Sequence, residues 1–109
     1  MKLIRDNIPK IIDEEGKWED AEIRLLLDYR EKLRYLREKV VEEATEVAEA
    51  PSRAELVEAI ADLKEITIAL MDEEGITWGE VERARNSKNR EQGKYSMFYT
   101  FKKKLDKDK

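Results

Sequence analysis

Five carboxylates stand out for their type and spacing: Glu42, Glu43 and Glu46 in one stretch, Glu58 and Asp62 in another. At about 100° per residue, Glu43 lies about 60° from the centre of its segment's apolar stripe and Glu46 about 120°. Glu42, Glu38 and Glu49 lie farther round and should face water. In the second stretch Ala59 and Asp62 take nearly the wheel positions of Glu43 and Glu46, and Glu58 takes that of Glu42. Two adjacent helices would then bring Glu43, Glu46 and Asp62 to the rim of one groove. Carboxylates meeting there repel one another unless a cation joins them. Oxygen-only ligands suit Mg²⁺ or Mn²⁺, which usually also hold waters and substrate phosphates. The same spacing also describes an ordinary solvated face, because a helix this rich in charge places glutamates three apart by chance.

Other groups are weighed the same way. Lys39, Lys88, Arg85 and Arg90 could contact phosphate, although cations on helix surfaces are commonplace. The aromatic run Tyr95 to Phe101 suits core or oligomer packing better than stacking on bases. The chain has no cysteine and no histidine, so thiolate nucleophiles, imidazole bases, disulfides and the usual zinc sites are excluded. The net charge of −4 is spread through intermixed signs, unlike the basic face of a nucleic-acid binder, and no nucleic-acid partner is expected. No apolar run reaches membrane-spanning length and no signal-peptide pattern opens the chain, so no membrane partner and a cytoplasmic location are expected.

The elements that must hold these groups are helices. Charged residues make up 44% of the 109-residue chain, with only four glycines and two prolines, a balance that favours helices with narrow apolar faces. Asp6-Asn7-Ile8-Pro9 opens a helix over 7–15, and Gly16 ends it. Ile23, Leu26, Leu33, Leu36, Val40, Ala44 and Val47 recur at helical spacing and predict a helix over 20–50, with a possible break near Asp28-Tyr29. Pro51 stops it. Ser52 with Glu55 forms a capping-box pattern for a helix over 53–74, whose core side carries Leu56, Ile60, Leu63, Thr67 and Leu70. Thr77 with Glu80 repeats the pattern for a helix over 77–91. Tyr95 to Phe101 could be a short extended piece. The expectation is one all-α domain over 1–101 with helices two and three antiparallel, then a charged tail over 102–109. So short a chain has a limited core, which predicts a homodimer or higher homo-oligomer.

The order of these features resembles a known group. Lys2 through Ile12 is similar to the opening of small phosphoribosyl-ATP pyrophosphohydrolase-like proteins. Glu42-Glu43-Ala44-Thr45-Glu46 resembles the first metal motif of the MazG-like, all-α nucleoside triphosphate pyrophosphohydrolase superfamily. Glu58 to Glu65 sits where that superfamily places Glu-x-x-Asp, and Lys88 through Tyr95 resembles its C-terminal lysine, arginine-glycine and aromatic stretch. The resemblance implies a four-helix, MazG-like bundle completed by oligomerisation, with Mg²⁺ or Mn²⁺ as cofactor. It implies hydrolysis of a nucleotide between the α- and β-phosphates, in a house-cleaning role. Carried over by position, Glu43, Glu46 and Asp62 match metal ligands, Glu42 a supporting carboxylate or catalytic base and Lys88 a phosphate contact; Lys39 and Arg90 are further candidates for substrate binding. The chain departs from the pattern at Ala59, where the motif has Glu. Glu58, four residues before Asp62, is the available substitute. The arginine before Gly93 is also missing, replaced by Gln92. These departures keep a second reading open: a catalytically impaired helical homo-oligomer that binds nucleotides or protein partners.

Overall fold

A computed structural model describes residues 1–16 and 22–104. Among them are four helices and no strand: α1 Ile8–Glu14, α2 Tyr29–Glu49, α3 Arg53–Glu74 and α4 Trp78–Gln92. The chain divides into two units, Met1–Ile76 and Thr77–Lys109.

In the first unit, each helix end has a local cause. Pro9 fits the first turn of α1, where its missing N–H costs nothing, and Gly16 follows in the left-handed region. The helix expected over 20–50 begins only at Tyr29. Asp28 is its cap: extended backbone lets the Asp28 carboxylate accept from the Glu31 N–H at 3.0 Å. Residues 22–28 are not helical, and Leu25 and Leu27 are exposed; the expected start near Asp20 lies outside the described residues. Before Pro51, Ala50 is forced to an extended ψ, which ends α2. Ser52 Oγ accepts from the Glu55 N–H and opens α3. Gly75, at φ 67°, closes it: its N–H bonds Asp72 O while the Ile76 N–H reaches back to Met71 O.

The short turn at Pro51 folds α3 back along α2. Tyr29 Oη donates to Glu74 at 3.1 Å and Lys32 pairs with Glu73, so the start of α2 lies beside the end of α3. The two helices are therefore antiparallel. Their seam buries Tyr35, Leu36, Ala59 and Met71, with Leu33, Val40, Val47, Leu63, Thr67 and Leu70 half-buried. Ala44, Leu56 and Ile60, expected on the core side, are instead exposed. A pair of helices has one seam, and an apolar stripe wider than that seam must leave its flank outside.

In the second unit, α4 opens on the complete capping box. Thr77 Oγ1 accepts from the Glu80 N–H, and the Glu80 carboxylate accepts from the Thr77 N–H at 2.8 Å. Gly93 ends the helix. Tyr95 to Phe101 forms no strand; it runs through bends, with Phe98 at φ 57° interrupting any extended path. Tyr95, Phe98, Tyr99 and Phe101 are all exposed. Of the expected tail, 102–104 are exposed and 105–109 lie outside the described residues.

Candidate metal centre

Successive turns of α2 bring three carboxylates together. Glu42, Glu43 and Glu46 each place an oxygen within 4.8 Å of the other two. Two unit charges at that spacing repel by on the order of 3 kcal/mol near a protein surface, before salt screening. Helix α2 holds them there because 43 and 46 stand three apart, with 42 adjacent.

Their surroundings differ. The Glu43 side chain is only 9% exposed, and its Oε2 is buried without a hydrogen-bond donor. Burial pushes its carboxyl above the usual range and the neighbouring Glu46 adds to the rise, while Lys39 pulls the other way. Glu42 moves oppositely: Lys39 holds it below the usual carboxylate range and Lys2 adds to that pull. Lys39 Nζ is shared, 3.2 Å from Glu42 and 3.4 Å from Glu43. Glu42 is half-buried rather than facing water as its wheel position suggests, because Lys39 and Lys2 draw it in. Glu38 and Glu49 are exposed.

Asp62, on α3, stands across from these groups. It lines a cavity of about 530 Å³ with Glu43 and Lys39, and a smaller one of about 290 Å³ with Glu46, Glu58 and Ala59. Asp62 does not join the three-carboxylate cluster; Arg5 Nη2 donates to it at 2.6 Å. Ala59 is buried and offers the smaller cavity only a methyl group. Glu58, exposed one turn before Asp62, supplies a carboxylate at the same place. Lys88 and Arg90 are exposed on α4, in the other unit. Glu42, Glu43 and Asp62 take their cations from Lys39, Lys2 and Arg5.

Sequence reasoning missed Lys2 and Arg5 as partners of the site. Their pairs span 40 and 57 residues, and a contact that long leaves no local periodicity to read.

The donor set can hold a divalent cation. It is made of carboxylate oxygens, which suit Mg²⁺ and Mn²⁺, and a buried Glu43 oxygen lacks any donor of its own. A cation would also relieve the repulsion between Glu43 and Glu46.

The phosphoribosyl-ATP pyrophosphohydrolase family model matches residues 21–89, more than half of the chain. The chain belongs to the phosphoribosyl-ATP pyrophosphohydrolase family. That family lies in the MazG-like all-α superfamily, and membership points to pyrophosphohydrolase-like handling of nucleotides. The family typically depends on a divalent metal, and the acidic cluster of this phosphoribosyl-ATP pyrophosphohydrolase-family chain lies within the matched residues. The match begins after α1, so Lys2 and Arg5 fall outside it. No match was found among curated proteins or among solved structures. No described helix is long and apolar enough to cross a membrane.

Proposed function

We propose that this chain is a divalent-metal-dependent nucleotide pyrophosphohydrolase of the house-cleaning kind. It cleaves between the α- and β-phosphates and works as a homo-oligomer. The observation that carries the reading is Glu43: a carboxylate nine-tenths buried, with an orphaned oxygen, beside Glu42 and Glu46. Lys39 serves one Glu43 oxygen and leaves the other buried without a partner, which is costly for a charged group and which a bound cation would relieve.

Glu43, Glu46 and Asp62 are assigned as metal ligands, with Glu58 as a further carboxylate where the family's motif glutamate is absent. A bound Mg²⁺ or Mn²⁺ would neutralise the polyphosphate and lower the pKa of a bound water. Glu42, a carboxylate adjoining the proposed ligands, is assigned to accept the proton of the attacking water. The water oxygen bonds to the α-phosphorus, the bridging α–β bond breaks, and pyrophosphate departs with the electron pair. Lys39 is assigned to steady the phosphates.

A second reading rests on Ala59, whose buried methyl group stands where the motif has a ligand. It makes the chain a catalytically impaired relative that binds nucleotides. A panel of nucleoside triphosphates, assayed for pyrophosphate release with and without Mg²⁺, separates the two. Release only with Mg²⁺ supports the enzyme. Nucleotide binding without release supports the impaired form.

The homo-oligomer is supported by apolar side chains that the hairpin does not cover. Val41, Ala44 and Ala48 fall on one side of α2, and Leu56, Val57 and Ile60 on one side of α3; all are exposed. A second copy is the occupant proposed for them.

A further inference from the structure

The segment before α1, residues 1–7, puts two cations on the carboxylates. Lys2 Nζ lies 3.3 Å from Glu42, and Arg5 Nη2 lies 2.6 Å from Asp62. Both cationic side chains are mostly exposed, 68% for Lys2 and 61% for Arg5. They are therefore held by ion pairing and not by packing, and an exposed pair of this kind is weak.

Charge balance gives the segment a role. Glu42, Glu43, Glu46 and Asp62 are faced by Lys39, Lys2 and Arg5, so the cations nearly offset the carboxylates. A divalent ion coordinating Asp62 competes with Arg5 for the same oxygens. Once displaced, the guanidinium has lost the ion pair that held it and is free to turn to another anion. Arg5 lines the 530 Å³ cavity together with Lys39, Glu43 and Asp62, so an anion entering that cavity comes within reach of its side chain. The anion that then enters is a polyphosphate, and a guanidinium matches phosphate with two parallel N–H donors.

We propose that Arg5 is a phosphate-binding residue that exchanges partners: it caps Asp62 before metal binds and takes the polyphosphate afterwards. This rests on the metal-centre reading above. The exchange spares the site two costs. The metal-free carboxylates are not left facing one another without counter-ions, and the loaded site is not left short of positive charge when the triphosphate arrives. Lys2 acts alongside it through Glu42.

The test uses Mn²⁺ alone, then inorganic tripolyphosphate added to the Mn²⁺-loaded protein, both by calorimetry. In Arg5→Gln, Mn²⁺ should bind about threefold more tightly, because a weak competitor is gone. Tripolyphosphate should bind about tenfold more weakly, the value of a charged hydrogen bond. Lys10→Gln is the control. It removes an equal charge from α1, where exposed Lys10 stands beside Glu14 and does not line the cavity, and should change neither affinity. Circular dichroism confirms that each variant keeps its helices. Weaker Mn²⁺ binding in Arg5→Gln, or unchanged tripolyphosphate binding, overturns the exchange; so does a Lys10→Gln that behaves like Arg5→Gln. Hydrolysis that persists alongside those unchanged affinities would remove this role and leave the hydrolase. Arg5-dependent tripolyphosphate binding with no release of pyrophosphate from nucleotides would leave this role and remove the hydrolase.

Discussion

Glu42 and Glu43 are neighbours in sequence and share one ammonium group, that of Lys39, yet they are pushed in opposite directions. Glu42 is drawn toward its charged form by Lys39 and Lys2, while Glu43 is driven toward its neutral form by burial and by Glu46. One α-helical step separates a carboxylate whose charge is eased by two lysines from one whose charge burial and a neighbouring carboxylate oppose.

Glu43→Gln should therefore stabilise the metal-free protein. A carboxyl whose folded-state pKa is raised favours folding most below its unfolded value, near 4.3, and loses that advantage as pH rises through the folded value. At pH 7 the ionised Glu43 is a burden that glutamine removes, and Lys39 keeps Glu42 as its partner. The melting temperature of Glu43→Gln should exceed the parent's by a few degrees at pH 7, with the gap closing toward pH 4. Mn²⁺ should raise the parent's melting temperature and not the variant's. A variant less stable at pH 7 would contradict the burial argument.

Ala59→Glu should cost the metal-free protein about 1–3 kcal/mol, since a larger charged side chain enters a buried place beside Glu46 and Asp62. With Mg²⁺ the deficit should narrow, because the new carboxylate adds an oxygen ligand. Glu58→Gln should sharply reduce turnover if Glu58 fills the vacant ligand position. Denaturant melts with and without Mg²⁺ check the first claim and initial rates the second.

The α4 cap gives a second pH signature, of opposite sign. The Thr77 N–H, and then its hydroxyl, hold Glu80 below the usual carboxylate range. Its contribution is present above the unfolded carboxylate pKa and is lost as pH falls through the depressed value. Glu80→Gln keeps the capping geometry but not the charge. Its α4 helicity by circular dichroism should fall below the parent's at pH 7 and match it in strong acid. Equal helicity at both pH values would mean the charge contributes nothing.

The helical frame was legible because its signals are local. Ser52 with Glu55 and Thr77 with Glu80 mark helix starts within four residues, and Gly75 marks an end. Asp28 carried the same kind of signal, but the apolar repeat of Ile23 and Leu26 ran across it and extended the expected helix too far. The cap prevailed because the Asp28 carboxylate satisfies the Glu31 N–H in an extended backbone. The site divided along the same line. Helical spacing brought Glu43 and Glu46 together, whereas the pairing of Arg5 with Asp62 depends on how a distant segment docks.

Oligomer formation is read from exposed apolar residues, so sedimentation tests it directly. The parent should sediment as a dimer or larger at micromolar concentration. Ile60→Lys, at an exposed site on α3, should shift it toward monomer without loss of helix. A parent that sediments as a monomer removes the proposal.

The most direct measurement of the central claim is the product pair formed from a nucleoside triphosphate. The purified protein is incubated with a nucleotide panel in Mg²⁺ and the products are separated by ion exchange. The account predicts equal amounts of nucleoside monophosphate and pyrophosphate from at least one nucleotide, none after chelation, and none from the double variant Glu43→Gln, Asp62→Asn. Nucleoside diphosphate with orthophosphate, or no product from any nucleotide in Mg²⁺ or Mn²⁺, would contradict it.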